Sequence, residues 1–291
     1  SSNGYILTNN HVVENATEVT VSLQDGRTLK AVVVGTDPQT DVAVLKVESE
    51  ESLPFARLAD SEQIEVGDVV FAIGNPLGVG QTVTMGIVSA KGRDNLNMIQ
   101  GGFENFIQTD ASINQGNSGG ALVDATGRLI GINTMIMTDG RGTGNIGIGF
   151  AIPTALAYSV MTDLVEKGSV ARGFLGVGIQ PLDPDLVEAW GLPDSKGALV
   201  ISVSPSSPAD EAGLRNGDII VKVNDAEVES DKDLKLKIAA EDPTTEVELT
   251  VYREGKYFKT DVVLAERKVD GRFLLGGGAN RNLLEGVEAA P

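Results

Sequence analysis

The sequence predicts a mainly-β chain in two units, an antiparallel barrel or sandwich followed by a small α+β module. Three observations carry this. Short apolar runs recur through residues 5–152 with Gly, Asn, Asp and Pro turns between them and hardly a helix. One amphipathic helix at 154–167 then closes the pattern. After it, strands alternate with short helices over residues 172–267.

Tyr5 to Thr8 is a short strand running into Asn9-Asn10-His11. Val19, Val21 and Leu23 alternate onto one face, Asp25-Gly26 is a hairpin turn, and Thr28 to Val34 returns. Asp41 opens a further run, Val42 to Val47, and strands are expected at 66–73, 82–90, 105–110, 121–124, 128–135 and 146–152. In the helix, Leu156, Val160 and Leu164 form the apolar stripe and Gly168 ends it. The second unit reads as strand 174–180, helix 184–190, strand 197–203, a helical turn at 208–212, strand 218–224, helix 231–240 and strands 246–252 and 257–265. Residues 268–291 show no core periodicity and read as a linker or the start of a further module.

With 41% hydrophobic residues in 291, the chain can bury real cores, and no apolar run reaches the roughly 18 residues needed to span a bilayer. It opens at Ser1 without a methionine, which reads as a processed form or a fragment. The net charge is −18 with both halves acidic, so no face suits phosphate neutralisation and nucleic-acid binding is not expected. Zero cysteines exclude disulfides and thiolate chemistry, and a single histidine excludes a multi-His metal site, so no cofactor is expected.

The chemistry centres on Asn114 to Leu122, where Ser118 sits among glycines. A serine hydroxyl needs a base, a group that orients the base, and donors for the oxyanion. His11 is the only imidazole available as base, and Asp41 can hold it. Gly116, Gly119 and Gly120 clear side chains away, so the backbone N–H groups of Gly116, Asn117 and Ser118 can converge. One such donor is worth about 3–4 kcal/mol in the transition state. Singly, each residue has an ordinary structural reading, and their joint occurrence carries the assignment. Gly116 to Gly120 also matches the G-x-S-x-G elbow of α/β-hydrolases, but that fold needs a histidine after the serine and none follows position 11. The order His, Asp, Ser is that of chymotrypsin-like β-barrels. Gly142 to Gly147 matches G-x-G-x-x-G, yet strands on both sides argue for a loop near the site rather than a nucleotide cradle.

Thr8-Asn9-Asn10-His11-Val12-Val13, Asp37 to Leu45, Ala72 to Pro76, Gly116 to Gly120 and Gly147 to Pro153 together resemble the HtrA/Deg family of serine proteases, over nearly the whole chain to about residue 267. The resemblance implies a chymotrypsin-like double β-barrel over 1–168, whose first strands precede Tyr5. It also implies an ATP-independent endopeptidase and chaperone of the bacterial periplasm, acting on unfolded polypeptides as a homotrimer or larger homo-oligomer. It assigns His11 as base, Asp41 as its orienter and Ser118 as nucleophile, with the oxyanion loop on Gln115 to Ser118. The substrate-pairing strand falls on Asn133, Thr134, Met135, Ile136, Met137 and Thr138. A small apolar specificity pocket falls on Ile113 and Ile148, and an activation relay on Arg93. Met85 stands where the family usually has a smaller residue. Arg172-Gly173-Phe174-Leu175-Gly176-Val177 and Ser207 to Asp218 resemble a bacterial PDZ domain over 172–267, which implies a groove for peptide C-termini. The alternative reading is a catalytically silent chaperone or peptide-binding fragment.

Overall fold

The structure is a computed structural model and describes residues 1–75, 80–94, 96–99, 101–114, 116–137 and 145–267. Strands β1 (Tyr5–Asn9), β2 (Val19–Ser22), β3 (Thr28–Asp37) and β4 (Val42–Val47) form an open antiparallel sheet in the order β1-β4-β3-β2. The unbroken apolar run of β4 follows from burial on both faces. Val42 and Val44 enter one core with the second sheet, while Ala43, Leu45 and Val47 enter another with Val13, Ala31 and Leu53.

Strands β5 (Val69–Gly74), β6 (Thr82–Arg93), β7 (Phe106–Thr109), β8 (Ala121–Asp124), β9 (Leu129–Ile136) and β10 (Gly149–Pro153) close into a barrel in the order β10-β7-β6-β5-β8-β9. Val70, Ala72, Val88, Ile107, Leu122, Ile130 and Ala151 fill it. The expected double barrel is thus one closed barrel and one open sheet. Between β4 and the barrel runs α2 (Thr154–Glu166), which buries Ala157, Val160 and Leu164. It crosses β3 at Gly35, where a Cβ would stand 2.9 Å from Leu164 Cδ2.

In the second unit, β12 (Val177–Gln180), β13 (Ala198–Val203), β14 (Ile219–Val223), β16 (Glu246–Arg253) and β17 (Lys256–Val263) lie in the order β12-β13-β14-β16-β17, with β15 (Ala226–Glu227) paired to β14. The helices α3 (Pro184–Trp190), α4 (Pro208–Glu211) and α5 (Asp231–Ala240) are capped by Asp183, Ser207 and Ser230. Each cap is worth about 1 kcal/mol. Leu175, Val200, Ile220, Leu234, Ile238, Leu249 and Val251 make the core.

Two features depart from the sequence reading. His11 lies in α1 (Asn10–Val13), one turn with no side-chain cap and too short to show periodicity. The expected strand 174–180 is broken into β11 (Gly173–Phe174), paired with β18 (Ala265–Glu266), and β12. The break falls at Leu175-Gly176, where Gly176 has φ +89°.

Candidate active site

The register of β1 on β4 sets Asn9 opposite Val42, so His11, just beyond β1, meets Asp41, just before β4. Asp41 is 1% exposed and its backbone is left-handed, with φ +58°. Its carboxylate makes three contacts. Oδ1 accepts the His11 main-chain N–H at 3.0 Å. Oδ2 accepts His11 Nδ1–H at 2.7 Å and the Thr134 hydroxyl at 2.7 Å. A carboxylate at this position suits a ring held with Nδ1–H donating to Asp41.

Ser118 belongs to the other sheet, in the turn before β8. The turn is set by Asn117 N–H to Asn114 O and Gly120 N–H to Asn117 O, both 2.9 Å. Gly119, at φ +79°, packs so closely that a Cβ would lie 2.2 Å from Thr8 Oγ1. The Ser118 hydroxyl donates to Thr134 O at 2.9 Å, so it must rotate to meet His11 Nε2.

The oxyanion expectation needs one correction. Asn117 N–H is committed to Asn114 O, its side chain is buried, and its Nδ2 donates to Ser112 O at 3.2 Å. It shapes the turn, and its N–H is already paired. Gln115 lies outside the described residues.

The expected substrate strand divides in two. Asn133 is wholly buried, and its main chain pairs with the turn through Gly119 N–H to Asn133 O (2.8 Å) and Asn133 N–H to Gly120 O (2.9 Å). Its Nδ2 donates to Ile73 O and Ala121 O. Asn133 therefore holds the turn and has no backbone to offer a peptide. Thr134, Met135 and Ile136 continue along β9 past the end of β8, and Met137 donates to Ile148 O at 3.0 Å. Thr138 and residues 139–144 of the glycine-rich loop lie outside the described residues. Ile113 is buried and fills the space that Gly149 leaves, while Ile148 is half-buried. Asn145 ties the two, donating to Ile113 O at 2.8 Å and accepting from Ile148 N–H at 3.2 Å. Arg93 is exposed at the end of β6 and donates to Gln108 Oε1 at 2.8 Å.

In the second unit Arg172 requires the largest correction. It is 6% exposed and forms a two-pronged pair with Asp37, at 3.1 and 2.5 Å, on the segment leading to Asp41. It joins the units, with its guanidinium committed to Asp37. Beside it the Phe103 ring meets three cations, Arg172, Lys235 and Arg267, at 4.7, 4.8 and 5.2 Å. Lys235 Nζ also donates to Gly102 O. Burial lowers the Lys235 ammonium to about 8, with the charges of Arg267 and Lys232 adding to it. Leu175 is core, Phe174 is exposed, and Gly173 leaves no room for a Cβ against Ile238 O. Val177 opens β12, which pairs with β13 along one edge.

Thr134 acting on Asp41, Asn133 on the turn, and Asp37 on Arg172 are roles the sequence reading missed. One signal was available for the first two: Asn133-Thr134 interrupts an apolar run that is otherwise core.

Residues 1–132 match the trypsin-like peptidase domain family and 173–264 the PDZ domain family. A probable periplasmic serine endoprotease, DegP-like, of Chlamydia trachomatis is 48% identical over 266 residues, 91% of this chain and 52% of that protein. The periplasmic pH-dependent serine endoprotease DegQ of Escherichia coli is 45% identical over 91% of this chain and 57% of its own length. The chain thus spans about half the length of these curated relatives. Among solved structures, the HtrA-type protease AlgW with tripeptide superposes with a TM-score of 0.83 at 47% identity, covering 93% of this chain and 89% of that one. The serine endoprotease from Yersinia pestis gives 0.68 at 41%, covering 92% and 87%. A trypsin-like sheet pair, a PDZ unit behind it and this identity over most of a solved relative have one common account: the chain belongs to the HtrA/DegP family of serine endoproteases.

Proposed function

We propose that this chain is the proteolytic and peptide-binding part of an ATP-independent serine endopeptidase that degrades unfolded polypeptides in the bacterial periplasm. The observation that carries the reading is Asp41 holding His11 Nδ1–H at 2.7 Å on the cleft that also carries Ser118. His11 Nε2 takes the Ser118 proton as Oγ attacks the peptide carbonyl. The N–H groups of Gly116 and Ser118 receive the oxyanion, and the imidazolium, steadied by Asp41, gives its proton to the leaving amine. Water, activated by the same ring, then hydrolyses the acyl-enzyme. Substrate pairs as a strand along Thr134 to Met137, with Ile113 and Ile148 shaping a pocket for a small aliphatic side chain. The protease unit covers 1–168 and the PDZ unit 172–267. In the PDZ unit, the Gly173–Gly176 turn and Val177 of β12 receive a peptide C-terminus. The intact protein works as a homotrimer or larger homo-oligomer, with Arg93 relaying activation between subunits. The names and domain matches of the relatives support this reading.

The test is hydrolysis of unfolded casein by the full-length protein and by Ser118→Ala. Loss of hydrolysis in the variant is expected, and equal rates would sink the assignment.

A further inference from the structure

Base and nucleophile come from different sheets, so their relative position depends on what crosses the cleft. Thr134 Oγ1 to Asp41 is one crossing hydrogen bond. A second is made by Asn9, the last residue of β1 and wholly buried. Its Oδ1 accepts the N–H of Gly119, the residue after the nucleophile, at 2.7 Å. Its Nδ2 donates to the main-chain carbonyl of Asp41 at 3.0 Å. One carboxamide therefore joins the two ends of the reacting constellation directly, and neither end is a side chain.

We infer that Asn9 is a positioning residue, whose carboxamide sets the Ser118 turn against the Asp41–His11 pair. The inference rests on the triad assignment proposed above. Both groups that Asn9 binds have a second partner: Gly119 N–H also reaches Asn133 O at 2.8 Å, and Asp41 O also accepts Asn10 N–H at 3.1 Å. Removing Asn9 leaves neither of them bare. The two segments stay hydrogen-bonded within their own sheets and lose the direct carboxamide tie, with Thr134 to Asp41 still crossing beside it. A fold-keeping bond would be wasted on groups already paired, whereas a bond that fixes distance across a cleft is useful there. Misplacement of reacting groups by about 1 Å costs on the order of 100-fold in rate.

The test compares full-length wild type with Asn9→Ala, Asn9→Asp and Ser118→Ala. Active sites are counted with a fluorophosphonate serine probe, and turnover is followed on a small fluorogenic peptide. Asn9→Ala is expected to lower kcat per titrated site about 10- to 100-fold, with KM within about twofold and a matching loss in probe labelling rate. Asn9→Asp keeps the acceptor for Gly119 but sets an oxygen against Asp41 O, so it should also lose kcat with KM kept; being isosteric, it carries the test if Asn9→Ala does not fold. A purely structural role would lower the titrated fraction and Tm but leave kcat per site at the wild-type value, and that result overturns the inference. If Ser118→Ala stays active, the triad assignment fails and Asn9 with it. If Ser118→Ala is dead while both Asn9 variants turn over normally, the Asn9 inference alone falls.

Discussion

The two clefts of this molecule are built by opposite means. The proposed catalytic cleft lies between sheets and depends on contacts from distant parts of the chain: Asp41 Oδ2 accepts the Thr134 hydroxyl, the Ser118 hydroxyl donates to Thr134 O, and the turn pairs with the main chain of Asn133. The turn proposed to bind peptide lies at the end of one sheet, and the parts it would offer are backbone. Within it Leu175 is core, Gly173 and Gly176 leave no room for a Cβ, and Phe174 is exposed. Transferring a proton requires atoms fixed to a fraction of an ångström, which side-chain networks supply. Capturing any peptide's terminus requires exposed main chain, which side chains would obstruct.

Perturbing the two clefts separately tests that contrast. The largest expected effect is Ser118→Ala, which should lower hydrolysis about 10⁴-fold or more while leaving the affinity for a C-terminal peptide, read by fluorescence anisotropy, unchanged. A shift in that affinity would break the separation.

Arg172→Ala comes next. Removing one partner of a buried ion pair typically costs about 3–5 kcal/mol, so denaturant unfolding should show a loss of that order. If Arg172 were instead a groove residue, as the sequence suggested, stability would hold and peptide affinity would fall.

Gly176→Ala should weaken peptide binding about tenfold. A left-handed backbone costs a side chain about 1–2 kcal/mol, and the new Cβ would lie 2.2 Å from Ser207 Cβ. Unchanged affinity would remove the turn from the binding site.

The smallest effect concerns the junction between the units. Phe103, Arg172, Arg267, Lys232 and Glu104 surround Lys235, whose ammonium is depressed to about 8 from the usual 10.5. Between those values the unfolded chain binds more protons than the folded one, so stability rises with pH over that window. Below about pH 8 the cost of burying the charge is present in full. Thermal unfolding at pH 8 and 10.5 should show a rise in Tm in wild type that Lys235→Met lacks.

The strands, and the candidate trio of His11, Asp41 and Ser118, stood out in the sequence because their signals are local or exclusive. Period-two patterning marks β2 and β3, and a chain with one histidine leaves no choice of base. The roles of Asn9, Thr134 and Arg172 were not legible, since each is defined by a partner far away in the chain. Arg172 looks like a groove residue because it precedes Gly173, and nothing nearby reveals that Asp37 claims it. The break at Leu175-Gly176 hides for a related reason: an apolar residue followed by glycine reads equally as strand or turn until Ser207 is placed beneath it.

The left-handed backbone at Asp41 has a consequence for sequence drift. Away from glycine, Asp and Asn are among the residues that accept this conformation most readily. Glycine would relax the chain but bring no side chain to His11. Asparagine would fit the chain but turn an amide N–H or a weaker acceptor towards Nδ1, favouring the wrong tautomer. Every other residue meets the backbone penalty first. Position 41 therefore has no neutral neighbour in sequence space. In a saturation library selected for proteolysis it should stand as invariant as position 118, for a reason half chemical and half conformational.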